Sequence, residues 1–238
     1  MAHSDFDADS LAAYLHITPQ QVERLASRDK LPGRKVSGTW RFSRADIHHW
    51  LEDRLGLMGE EQLDQVEKVL RRSAPKSAEQ PISLSDLIPD GAIAAPLLAR
   101  TRKSVIQAMV KLAQSTGLLW DPERMAEAVR TREEMQSTAL DVGAALLHAR
   151  RPMPHILSEA FIALGITSQG IPFGTDGTLC DVFFLICSVN DRQHLRTLAR
   201  VSRLISTDRF LEEIRRAPDA VSVKHLLDQF EATIQHDH

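Results

Sequence analysis

Arg132-Glu133-Glu134-Met135-Gln136-Ser137-Thr138-Ala139-Leu140-Asp141-Val142-Gly143-Ala144-Ala145-Leu146-Leu147-His148-Ala149-Arg150 is the stretch on which the reading of this chain turns. A helix-like run ends at Ser137-Thr138, a turn passes through Gly143, and a short apolar segment delivers His148. That is the pattern of a buried strand offering one imidazole at its end, near an arginine. Neutral imidazole is a good nucleophile toward phosphorus, and a guanidinium can grip phosphoryl oxygens at two points. A lone histidine after an apolar run is more often a hydrogen-bonded structural residue, so its surroundings decide.

Outward from this stretch, helices and strands alternate from Ile82 onward, which predicts an α/β layered fold. Residues 92–99 read as a first strand, 103–115 as a helix, and Asp121-Pro122 as the start of a helix running toward Arg132. Strands are expected at 144–149, 159–165 and 181–189, and helices at 191–205, 208–215 and 221–234. The glycine-rich piece 165–177 reads as a loop at a sheet edge. Cys180 and Cys187 are seven positions apart on one strand and would face opposite sides, which excludes a shared disulfide and leaves them as buried small hydrophobes.

The motif Arg132-Glu133-x-x-x-Ser137-Thr138, followed by a glycine turn and His148-Ala149-Arg150, resembles the signature of the mannitol/fructose/nitrogen class of phosphotransferase-system enzyme IIA domains. Phe173-Gly174-Thr175-Asp176-Gly177 and His194-Leu195-Arg196-Thr197-Leu198-Ala199-Arg200 extend the resemblance over roughly the last two-thirds of the chain. It implies an α/β sandwich with a mixed sheet flanked by helices. His148 would accept a phosphoryl group from an HPr-like phosphocarrier protein. Arg132 would neutralise its oxygens, His194 would hydrogen-bond it, and Thr138 and Gly143 would lend further donors. No metal or other cofactor is implied. The chain departs from the family's Ser-Thr-Gly-Ile-Gly-Asn-Gly-Val-Ala-Ile-Pro-His: Ala139 and Asp141 replace glycines, Val142 the asparagine and Leu147 the proline. Two readings follow, an active phosphoryl carrier or a degenerate IIA domain that senses a protein or ligand.

Residues 1–55 read as a separate module. Asp9-Ser10 caps a short helix carrying Leu11, Tyr14 and Leu15; Thr18-Pro19 starts a second; Leu31-Pro32-Gly33 stops it. Extended pieces 34–36 and 39–42 flank the turn Ser37-Gly38, and Ser43 caps a helix that turns Ile47, Trp50 and Leu51 inward. This run resembles the excisionase/MerR-like winged helix-turn-helix module, a DNA-binding arrangement. Between Thr18 and Arg44 seven cations stand against two acids, 7 − 2 = +5, although the whole chain carries −3. Gln20, Gln21 and Arg24 are candidates for base edges, and Arg34, Lys35 and Arg41 for phosphates. The alternative is a basic face kept for protein contacts.

Residues 56–81 are the expected connector. Leu63, Val66, Val69 and Leu70 form a helical stripe that suits either packing on its own domain or a homodimer seam, and Ser73–Pro81 has a tether's composition. The domain beyond it spans 82–238. With 43% hydrophobic and 26% charged residues, no apolar run long enough for a bilayer and an acidic start, the chain reads as a cytoplasmic protein without a membrane partner. His48, His49, His155, His236 and His238 lack partners at ligand spacing, so no metal site is expected. The reading as a whole is a regulatory protein in which phosphorylation of His148 is coupled to transcription or to an unidentified partner.

Overall fold

The computed structural model of the chain describes residues 5–15, 17–55, 83–175 and 177–236, in two units, Met1–Pro81 and Ile82–His238. The connector stripe and tether, Asp176 and the last two residues lie outside the described residues.

In the first unit, side chains that satisfy orphan helix N–H groups set the helix starts. α1 (Ala8–Leu15) begins earlier than the Asp9-Ser10 cap expected. Asp7 does the capping, its Oδ1 accepting the Ser10 backbone N–H at 2.8 Å and the Ser10 hydroxyl at 2.6 Å. Those bonds hold the Asp7 carboxyl below the usual range. α2 (Pro19–Ser27) opens on Thr18 with proline in its first turn. A hairpin of β1 (Arg34–Val36) and β2 (Thr39–Arg41) follows, turning on Ser37 at φ +50° and Gly38 at φ +83°. These left-handed values suit a two-residue hairpin turn. α3 (Arg44–Leu55) closes the unit over Leu11, Val22, Phe42 and Ile47, all fully buried. Trp50 donates its indole N–H to the Lys30 carbonyl at 2.7 Å, and Phe6 bridges to Phe42.

The second unit is a five-stranded mixed sheet flanked by helices. Its chain order is α4 (Leu84–Leu87), β3 (Ile93–Ala94), α5 (Arg102–Ser115), α6 (Pro122–Met135), β4 (Ala139–Leu140), β5 (Ala144–His148), β6 (Phe161–Pro172), β7 (Leu179–Cys187), α7 (Asp191–Ser206), α8 (Phe210–Arg216) and α9 (Ala220–His236). The strands lie in the order β3-β6-β7-β5-β4. β5 runs parallel to β7, with Leu146 opposite Phe184 and His148 opposite Ile186; β6 is antiparallel to β7. All five residues of β5 are buried. Successive side chains point to opposite faces, so both faces of this strand are covered. α6 packs on β5, and α7 on β7.

Two expectations change here. Of the expected 92–99 strand, Ile93–Ala94 form the paired strand; Pro96 has no N–H to give a ladder, and beyond it the Leu97 N–H still donates to the Ile166 carbonyl at 2.6 Å. The stretch 165–172 is strand rather than loop: a register shift between Ile166 and Ile171 absorbs the extra residues, and pairing resumes at Ile171↔Cys180. Both cysteines are buried and free. Burial, reinforced by the neighbouring Asp181 charge, pushes the Cys180 thiol up to about 12, and burial alone pushes Cys187 higher still, so both are inert.

One node ties the unit's first segment to its last helix. Glu231 of α9 accepts the Leu84 N–H at 2.6 Å and the Ser85 N–H at 3.0 Å at the start of α4, and lies 3.6 Å from Arg200 Nε of α7. Lys224 donates to the Ser85 carbonyl and, at 3.2 Å, to that of Ile88 at the other end of α4. Carboxylate at the N-terminus and ammonium at the C-terminus match the polarity of the turn they grip.

Candidate functional site

The apolar run Ala144–Leu147 forms β5 because it is buried on both faces, and the strand ends on His148. α7 begins at Asn190, whose side-chain oxygen accepts the Gln193 N–H at 2.9 Å, and presents His194 in its first turn. Both imidazoles are nine-tenths or more buried, with ring centroids 5.0 Å apart and planes inclined by 57°. Each ring is oriented through Nδ1. His148 Nδ1 lies 2.7 Å from the Leu146 carbonyl oxygen, and His194 Nδ1 lies 3.0 Å from the Ser188 hydroxyl. A carbonyl only accepts, so His148 carries its proton on Nδ1, and in the neutral ring Nε2 holds the lone pair.

Arg132 stands in the last turn of α6, buried, and its Nη1 donates to the Gln136 carbonyl at 2.7 Å, closing its own helix end. The backbone runs on from there into β4, where Leu146 N–H donates to the Thr138 carbonyl at 3.2 Å.

Thr138 and Gly143 go elsewhere. The Thr138 hydroxyl donates to Glu133 Oε1, and its backbone N–H points to the same carboxylate at 3.2 Å. Glu133, almost fully buried, also receives Arg102 Nη2 at 3.0 Å, so it locks the α6–β4 loop. Gly143 sits at the opposite end of β5 from His148, five residues of extended chain, or roughly 16 Å, away. Its φ is +84°, and a Cβ there would lie 2.7 Å from Arg215 Nη2. Arg215 holds Asp181 bidentately at 2.9–3.0 Å and the Val142 carbonyl at 2.7 Å. In the structure the Thr138 hydroxyl is thus committed to Glu133, and Gly143 lies at a structural clamp built by Arg215. Sequence reasoning passed over Glu133, although the Arg132-Glu133 pair was in view. It also passed over Ser188, for which the sequence carries no signal.

In the first unit Gln20, Arg24, Arg34, Lys35 and Arg41 are all exposed. Gln21 is turned back: its Oε1 accepts the Thr18 N–H at 2.8 Å while Thr18 Oγ1 accepts the Gln21 N–H, a capping box that the spacing Thr-x-x-Gln announces. On the hairpin Arg34 faces Arg41 and Lys35 faces Trp40. Alternation therefore puts Arg34 and Arg41 on one face and Lys35 on the other, where its ammonium lies 5.2 Å from the Trp40 ring centroid. Arg34 also meets Asp5 at 3.1 Å, an exposed pair that costs little to open. Among the described residues no group of three or more His, Cys, Asp or Glu could hold a metal ion, and no helix is long and apolar enough to cross a membrane.

Comparison with known proteins bears on the two units separately. A family described as "Phosphoenolpyruvate-dependent sugar phosphotransferase system, EIIA 2" matches residues 86–230, and one described as "Helix-turn-helix domain" matches residues 6–55. The chain is 24% identical over 151 residues to the PTS system fructose-specific EIIABC component of Bacillus subtilis (strain 168), covering 62% of this chain but only 23% of that protein. It is 27% identical over 148 residues to a nitrogen regulatory protein of Bradyrhizobium diazoefficiens, covering 60% of this chain and 94% of that one. The fold is shared with the crystal structure of nitrogen regulatory protein IIA-Ntr from Neisseria meningitidis, at a TM-score of 0.53 and 20% identity over 60% of this chain and 98% of that one.

Proposed function

We propose, for a chain that belongs to the phosphoenolpyruvate-dependent sugar phosphotransferase system EIIA 2 family and bears an N-terminal helix-turn-helix domain, that His148 accepts and passes on a phosphoryl group. The observation that carries this reading is the pair of buried imidazoles, 5.0 Å apart, with His148 held so that Nε2 keeps the lone pair. Nε2 attacks the phosphorus of a phosphohistidine on an HPr-like carrier; the new N–P bond forms as the donor's N–P bond breaks, and the donor ring takes back the electron pair. The Leu146 carbonyl then steadies the positive charge that the phosphorylated ring acquires at Nδ1–H. Arg132 and His194 supply charge and a hydrogen bond to the phosphoryl oxygens, a task of positioning rather than covalent chemistry.

The helix-turn-helix unit makes the chain a regulator in this reading. Phosphate on His148 adds charge and strong acceptors at one site and so shifts DNA binding or a partner contact. The kinship with a nitrogen regulatory protein supports a regulatory role. Incubation with phosphoenolpyruvate, enzyme I and HPr tests it. Acid-labile, base-stable phosphate should appear on the wild-type chain and be absent from His148→Ala. A chain that stays unlabelled while a standard IIA domain labels alongside it is instead a degenerate domain acting as a sensor.

A further inference from the structure

The two site histidines are oriented by partners of different kind. His148 Nδ1 faces a backbone carbonyl, which can only accept, whereas His194 Nδ1 faces the Ser188 hydroxyl, which can accept or donate. We infer that Ser188 is a positioning residue: its hydroxyl donates to His194 Nδ1, so that His194 carries its proton on Nε2 and offers an N–H to the phosphoryl group. The inference rests on the reading of His148 as the phosphoryl acceptor and names what completes that site.

The two rings need opposite, matched tautomers. A nucleophilic ring must present a lone pair, and the Leu146 carbonyl enforces that at His148 Nε2. The second ring stands 5.0 Å away and would meet phosphoryl oxygens, which repel a lone pair and attract an N–H. An imidazole with hydrogen on Nε2 has its lone pair on Nδ1, and that lone pair needs a donor. Ser188 supplies one where a carbonyl could not. Its position is fixed rather than adventitious. It follows directly on β7, is 5% exposed, and its own carbonyl accepts the Met153 N–H at 3.0 Å from the segment that leaves His148. Bulk water is thus a poor substitute for the hydroxyl. β7 and the chain beyond β5 hold it from two sides, so one residue couples the ends of both strands to the orientation of His194.

The test reads tautomers and rates on the full-length chain. In ¹⁵N-histidine protein, long-range ¹H–¹⁵N spectra should place the proton of His148 on Nδ1 and that of His194 on Nε2. Ser188→Ala should blur the His194 pattern while leaving His148 unchanged, which also reports an intact fold. Labelling through phosphoenolpyruvate, enzyme I and HPr should slow about threefold to tenfold in Ser188→Ala, the loss of one modest hydrogen bond, and recover in Ser188→Thr. A wild-type chain that labels but carries the His194 proton on Nδ1, or a Ser188→Ala chain that labels at the wild-type rate, overturns this inference alone. A wild-type chain that takes no phosphate while a standard IIA domain does overturns both it and the phosphoryl-carrier reading.

Discussion

The side chains assigned to DNA and those assigned to phosphoryl chemistry are placed in opposite ways. In the first unit Gln20, Arg24, Arg34, Lys35 and Arg41 stand out in water, held loosely or by exposed pairs. In the second, Arg132, His148 and His194 are each 3% exposed and each tied to a backbone or hydroxyl partner. A polyanion is met by many screened charges, each contributing a little. A single phosphoryl group is met by few groups whose orientation is settled beforehand in a poorly screened interior. If the proposed roles hold, one chain carries two electrostatic strategies, and they should answer differently to the same perturbation.

The contrast is attacked hardest at the buried node. Glu231→Ala removes half of an interior ion pair and two acceptors at the start of α4, so the second unit should lose about 3–5 kcal/mol in denaturant titration. The first unit's transition should stay in place; a shift of both together would break the division. Salt comes next. If Arg34, Lys35 and Arg41 each cover a phosphate, raising salt from about 50 to about 200 mM should weaken DNA binding roughly 40-fold, at a slope near −0.9 per contact. Labelling of His148 by phosphoramidate should move far less, and an equal response would collapse the comparison. Gly143→Ala forces a side chain into the left-handed region against Arg215 and should cost the second unit about 1–3 kcal/mol by thermal unfolding, with His148 still labelled. The smallest effect is expected in the first unit, where Thr18→Ala removes one half of a capping box and should cost about 1 kcal/mol of that unit's stability.

Much of the architecture could be read before any coordinates. Thr18 and Asp121, each followed by proline, cap helices as the sequence announces, and the apolar runs that end at His148 and Cys187 are buried strands. β6 is hard to read beyond Gly165 because glycines signal turns, while a bulge lets a strand absorb extra residues and pair again. The site was legible as a set of residue types and not as a set of partners. Thr138 looks like a phosphate donor until a carboxylate five residues earlier claims its hydroxyl. Gly143 looks close to His148 because chain proximity says nothing about which end of a strand a residue occupies. Gln21 looks like a base reader, yet its spacing from Thr18 already describes a cap.

The clasp between Ser83–Ser85 and Glu231 has one more implication. The phosphotransferase-like fold is entered and left at a single port, so its backbone is nearly a closed ring. A short peptide could join residue 236 to residue 83 and new ends be cut in the Thr116–Gly117 turn, giving a circular permutant that keeps both histidines in register. Seen this way the domain is a cartridge whose two ends meet at one place.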